Sequence, residues 1–131
     1  MPGSSVIYEG KCHCGQIQFR IKSEPIQTGV RCNCSICRRK NAVMSGGYYP
    51  PENFQLISGA ESLSNYQFEP NMVNHYFCKH CGNYPFHDGT DNPGTFRVNL
   101  GCIDEIDLEA LKIRIFDGKE TWKFLDDPLI G

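Results

Sequence analysis

Eight cysteines fall in this chain of 131 residues, and seven of them are gathered into three short groups. The groups are Cys12-His-Cys14-Gly15, Cys32-Asn-Cys34-Ser-Ile-Cys37 and Cys78-Lys-His-Cys81-Gly82, with Cys102 left over. An even number of cysteines permits a disulfide framework, but such frameworks spread their cysteines through small secreted domains that lack a core. Here the cysteines are clustered, and the start, Met1-Pro-Gly-Ser-Ser, has neither the basic nor the apolar stretch of a secretory signal. The expected setting is therefore the cytoplasm, where clustered thiols serve metal binding or catalysis.

Zinc prefers four soft or borderline ligands in a tetrahedron, and the protein usually fills all four positions of a structural site. Two cysteine knuckles from distant parts of the chain build such a site when each turns sharply enough to aim both sulfurs at one point. Gly15 and Gly82 each follow the second cysteine of a pair, where a positive φ carries no steric penalty for glycine. This shared ending predicts one structural zinc held by Cys12, Cys14, Cys78 and Cys81. The middle group differs, with three cysteines in six residues and no glycine after the last. If Cys32, Cys34 and Cys37 bind a second zinc, one position stays open, which is the pattern of a catalytic zinc. Two alternatives stand beside it. A histidine (His75, His80 or His87) completes a structural set, or the three thiols bind no metal and work in redox chemistry. His13 and His80, inside the knuckles, are expected at the surface, and Cys102 is expected to be a small buried hydrophobe.

Apolar residues make up 40% of the chain and charged residues 21%, with a formal charge of -2. That balance argues against a phosphate-binding surface and so against a nucleic-acid partner. No apolar run approaches the roughly 18–20 residues of a membrane span. The length suits one domain, residues 1–131, with a core at about 6–124. Alternation of Ile17, Phe19 and Ile21 with polar residues predicts a half-buried strand directly after the first knuckle. Further strands are expected at Val43–Tyr49, Phe54–Ile57, from Leu63, at Met72–Phe77, from Phe96 to Leu100 and at Lys112–Phe116, with Tyr66 and Phe68 facing inward. Only Ser35–Lys40 and Asp104–Leu111 read as short helices. The sum is a mostly β domain with little helix.

Gly10-Lys-Cys-His-Cys-Gly15, Phe19, Cys32-Asn-Cys-Ser-Ile-Cys-Arg38, Phe77-Cys-Lys-His-Cys-Gly82 and a trailing Trp122 resemble the glutathione-dependent formaldehyde-activating enzymes, also called the centromere-protein-V-like family. The resemblance implies an Mss4-like, two-layered β-sheet (β-tent) fold with zinc knuckles. It also implies two zincs, a structural one at the positions of Cys12, Cys14, Cys78 and Cys81 and a catalytic one at those of Cys32, Cys34 and Cys37. The implied activity is that of a carbon–sulfur lyase, adding glutathione as co-substrate to formaldehyde or another small aldehyde to give the S-hydroxymethyl adduct. This chain is shorter than the founding enzyme, which has a longer C-terminal part.

A zinc-bound thiol is deprotonated near neutral pH, and the same metal can polarise an aldehyde oxygen. Glutathione carries two carboxylates, so Arg38, with Arg39 and Lys40 after it, is a candidate contact for it. Against this stands a plain solvated helix face. Tyr48 and Tyr49 read either as pocket residues or as strand packing. Two other functions remain open at this level: a non-catalytic zinc scaffold for protein interaction, and a thiol-redox protein using Cys102. Neither the oligomeric state nor the group that protonates the product is encoded in a recognisable motif.

Overall fold

The computed structural model describes residues 5–67, 73–89 and 94–125. Strands β1 (Val6–Lys11) and β2 (Gln18–Ser23) form an antiparallel hairpin, and β3 (Thr28–Cys32) leads into the helix α1 (Ser35–Lys40). Strands β4 (Phe54–Ser58), β5 (Leu63–Tyr66), β6 (His75–Cys78), β7 (Phe86–Asp88), β8 (Phe96–Val98) and β9 (Lys112–Phe116) follow. Hydrogen bonding sorts them into a three-stranded sheet in the order β1-β2-β4, a four-stranded antiparallel sheet β5-β6-β7-β8, and a parallel pair β3-β9. The mostly β architecture with little helix is the one expected from the sequence.

The first two sheets pack face to face through aromatic rings. Phe19 of β2 meets Phe86 of β7 edge-on at 5.8 Å, and Phe54 of β4 stacks on Phe96 of β8 at 4.4 Å. Alternation running into β2 places Ile17, just before the strand, and Phe19 and Ile21 within it at 0% exposure, so these side chains point to the core. Gly10 is the register partner of Phe19 across the β1–β2 hairpin, and the Phe19 ring lies over it. A Cβ at Gly10 would overlap that ring, so a glycine is required for the aromatic core to close at this point.

Two expected elements differ. Val43–Tyr49 is a chain of single bridges rather than a strand, linking Val30 to Met44, Met44 to Asn99, and Tyr49 to Phe96. The Gly46-Gly47 pair offers no side chains to pack, and the Ser45 hydroxyl donates to Gly47 O at 2.9 Å while accepting from Val98 N–H at 3.1 Å. These local bonds replace a continuous ladder. Asp104–Leu111 narrows to a 3₁₀ turn at Leu108–Ala110, which Asp107 caps through Glu109 N–H. Tyr66, expected inward, ends the edge strand β5 and is 53% exposed; Phe68 and Met72 lie outside the described residues. Strands β1, β3 and β7 are present beyond those expected from the sequence.

Gly10→Ala tests the aromatic closure. It is expected to destabilise the protein by about 1–3 kcal/mol through overpacking, read as a lower midpoint in denaturant unfolding at fixed zinc. An unchanged midpoint would show that Phe19 has room to move aside.

Candidate metal centres

Each glycine-ended knuckle closes on itself. Gly15 N–H donates to Cys12 O at 3.0 Å and Gly82 N–H to Cys78 O at 2.8 Å, and these glycines have φ of 83° and 74°. A Cβ at either would meet nothing within 4 Å, so backbone conformation, not space, calls for glycine there. The first knuckle joins β1 to β2, and the second ends β6. Their sulfurs converge. Cys12, Cys14, Cys78 and Cys81 place all four Sγ atoms within 4.8 Å of one another, and the Cys12–Cys14 and Cys14–Cys78 separations are both 3.6 Å. Sulfurs at tetrahedral corners around zinc stand about 3.8 Å apart, given a Zn–S bond of about 2.3 Å. The donor set therefore fits zinc. Two backbone groups aim at the sulfurs as well, Ile17 N–H at Cys12 (3.3 Å) and His80 N–H at Cys78 (3.4 Å). His13 and His80 point outward, as expected.

The middle group sits where β3 runs into α1. Cys32 ends β3, paired with Phe116 of β9; Cys34 is the helix N-cap; and Cys37 lies within the helix. Their sulfurs also fall within 4.8 Å of one another, and among the described residues no histidine, carboxylate or further cysteine joins that group. Three close thiols share their charge. A hydrogen bond from Cys37 outweighs burial and, with the backbone N–H groups of Cys34 and Gly118, brings Cys32 down to about 5. The same bond to Cys32, together with burial, pushes Cys37 up. A metal ion relieves the same crowding, which is why this donor set suits one.

The C-terminal segment clasps the site. Asp117 accepts from Asn33 Nδ2 at 3.0 Å, from the Thr121 hydroxyl at 2.9 Å and from the backbone N–H groups of Glu120 and Thr121. Asn33 Oδ1 in turn accepts from Lys119 N–H at 3.0 Å. With the Asn33 bond as the largest cause, Asp117 is held down to about 2, so it stays a carboxylate through the neutral range. The clasp seats Gly118 against the cluster, where a Cβ would stand 2.6 Å from Cys32 Sγ and 3.3 Å from Cys34 Cβ. Trp122 follows at φ 59°, 66% exposed, its N–H bound to Asp117 O at 2.7 Å and its ring edge-on to Phe116.

Two cavities lie near the three cysteines, one against their sequence neighbours and one against Cys32 and Cys37 themselves. An outer groove of about 440 Å³ is lined by Asn33, Ser35, Arg38, Arg39 and Lys119. Arg38 is exposed there, whereas Arg39 folds back to donate to Ser35 O at 2.8 Å. Behind the cluster is a small cavity of about 20 Å³, lined by Cys32, Cys37, Lys40, His87 and Arg97 with Val30, Ala42 and Met44. Lys40 turns away from its neighbours on α1, its Nζ 3.1 Å from His75 Nδ1 and 3.6 Å from the centre of the Tyr84 ring. Burial lowers Lys40 to about 8, His75 to about 4 and His87 to about 3, so both imidazoles are neutral at neutral pH. Tyr48 lies under the Arg97 guanidinium at 4.6 Å, while Tyr49 is a packing residue whose hydroxyl donates to Ser23. Cys102 is buried, 3.3 Å from Asn83 Oδ1, and burial pushes its thiol up to about 12.

The two cysteine sets each gather in the structure, whereas Asn33, Gly118, Asp117 and Arg97 around the second carry no signal in the sequence. Lys40 adjoins Arg38 and Arg39 in the sequence, yet the helix sends it to the other cavity. Asn33 sits between two cysteines and Gly118 follows an aspartate, patterns too short to signal a clasp.

A β domain with one four-sulfur and one three-sulfur cluster defines a class of thiol-rich domains able to hold metal ions at two places. Residues 7–119 match the family described as "Glutathione-dependent formaldehyde-activating enzyme", and the chain belongs to that family. A Halomonas elongata protein provisionally named as a glutathione-dependent formaldehyde-activating enzyme is 34% identical over 85 residues, covering 58% of this chain and 52% of that protein. The chain thus spans about half the length of this curated relative. The crystal structure of a Rhodobacter sphaeroides protein superimposes with a TM-score of 0.69 at 28% identity, covering 80% of this chain and 98% of the other. No helix among the described residues is long and apolar enough to cross a membrane.

Gly118→Ala probes the second cluster selectively. Its Cβ is expected to weaken zinc binding there by about 10–100-fold, as lost outer support does at metal sites, and to leave the four-cysteine site intact. Competition with a chromophoric chelator reads both affinities. An unchanged weaker-site affinity would remove Gly118 from the account.

Proposed function

We propose that this protein is a zinc-dependent carbon–sulfur lyase-type enzyme that adds a thiol such as glutathione to formaldehyde or another small aldehyde. The observation that carries the reading is the incompleteness of the middle cluster. Three sulfurs gather within 4.8 Å with no fourth protein ligand among the described residues; a small cavity touches Cys32 and Cys37, and an outer groove runs along their neighbours Asn33, Ser35 and Arg38. Membership of the family supports the same chemistry.

In this reading Cys12, Cys14, Cys78 and Cys81 hold a structural zinc that ties the β1–β2 hairpin to the end of β6. Cys32, Cys34 and Cys37 hold a second zinc with one exchangeable position. When bound there, zinc supplies a way to keep the incoming thiol deprotonated and to draw electron density from an aldehyde oxygen. The chain's own residues supply the rest. Arg38 and Lys119 offer cations along the outer groove, where glutathione carboxylates can dock. The Asn33–Asp117 clasp keeps the cluster's shape while the thiol enters. Holding thiol and aldehyde side by side turns a two-body encounter into one within a complex, which can lower a barrier by roughly 7–11 kcal/mol in the best-oriented systems.

Zinc-loaded protein mixed with glutathione and carbon-13 formaldehyde is expected to form the S-hydroxymethyl adduct faster than buffer, followed by NMR. Cys34→Ala is expected to return the rate to that of buffer while circular dichroism shows a retained fold. Adduct formation no faster than buffer across small aldehydes and thiols would leave the non-catalytic scaffold as the better description.

A further inference from the structure

The small cavity behind Cys32 and Cys37 combines features that a structural filler would not need. Its polar wall carries the sulfur-bearing Cys32 and Cys37, two cations, Lys40 and Arg97, and one neutral imidazole, His87, with no carboxylate among its lining residues. Both cations are held in place. Lys40 is fixed between His75 Nδ1 at 3.1 Å and the Tyr84 ring at 3.6 Å. Arg97 donates through Nη2 to Gly46 O at 3.3 Å and lies over the Tyr48 ring. The Arg97 Nε–H is buried and has no hydrogen-bond partner among the described residues. Buried donors of this kind cost free energy unless an acceptor reaches them. Three thiolates on a zinc at Cys32, Cys34 and Cys37 would carry one net negative charge, so two fixed cations on the same wall leave one unmatched and favour an oxygen carrying negative charge. At about 20 Å³ the space admits a water or a molecule little larger.

We propose that this cavity is an oxyanion pocket in which Lys40 and Arg97 hold the oxygen of a one-carbon carbonyl while a thiol adds to its carbon. The proposal rests on the addition chemistry above. In the step, a sulfur lone pair forms the new C–S bond, the C=O π pair moves onto oxygen, and the proton lost by the thiol ends on that oxygen. Nothing is oxidised or reduced. Preorganised donors stabilise the charge as it develops, because they need no reorientation at the moment of reaction. Val30, Ala42 and Met44 close the other side of the cavity and limit the size of the group bound to the carbonyl carbon. Lys40 is then a catalytic residue, distinct from Arg38 and Arg39 on the outer side of the same helix.

Formate, an inert one-carbon oxyanion, probes the pocket without turnover. Calorimetric titration of the zinc-loaded chain with sodium formate is expected to show binding that weakens at least about 10-fold in Lys40→Met and in Arg97→Gln, and that Lys40→Arg largely keeps. In turnover, Lys40→Met is expected to lower kcat by about 100-fold, the scale on which single oxyanion donors act, with KM for the thiol little changed and zinc content intact. Formate binding and turnover in folded, zinc-loaded Lys40→Met equal to those of the parent protein would overturn the proposal. So would the absence of formate binding in the parent. If the parent binds formate through Lys40 yet forms no thiol–aldehyde adduct, the pocket stands and the proposed reaction fails.

Discussion

The convergence of four sulfurs from Cys12, Cys14, Cys78 and Cys81 is the constraint on which the rest of this structure depends. The knuckle between β1 and β2 and the knuckle after β6 belong to different sheets, and they meet at one point. A chain of this size buries a modest core, here a run of aromatic contacts among Phe19, Phe54, Phe86 and Phe96. A metal bound by those four thiolates would add its binding free energy directly to folding and hold the faces of that core in register.

The second cluster is built differently, and the difference is chemical. Its three cysteines come from one strand end and one short helix, so they carry no long-range cross-link of their own. Long-range support comes from outside, through the parallel pairing of β3 with β9 and the Asn33–Asp117 clasp that follows. Such a site keeps its shape without being filled by protein ligands. The helix between its two cavities then divides the cations, with Arg38 on the outer groove and Lys40 in the inner cavity. In the proposed reading, the outer side of this short helix would dock a carboxylate-bearing thiol and its inner side would receive a small oxygen.

Much of this was legible in the sequence. The Cys-Gly endings of the knuckles announced their positive φ, and the Ile17-Phe19-Ile21 alternation announced β2, because both depend on local geometry. Strand β9 was expected from the sequence, but its parallel pairing with β3 was not legible, since the register joins residues some eighty positions apart. For the same reason the sequence could not place Gly118 against Cys32 or Arg97 in the same cavity as Lys40. Residues that complete a site from distant strands leave no spacing to read. The opposite error falls at residues 43–49, where the apolar residues around Gly46 and Gly47 read as a strand while the segment makes only isolated bridges.

The central claim is that one cluster is closed by four sulfurs and the other left open at three. X-ray absorption at the zinc edge of the fully loaded protein tests it most directly. The account predicts an average of about 3.5 sulfurs per zinc, with light-atom scattering making up the remainder, and a rise toward four when glutathione is added. Four sulfurs per zinc before any thiol is added, or histidine scattering that glutathione does not displace, would contradict it.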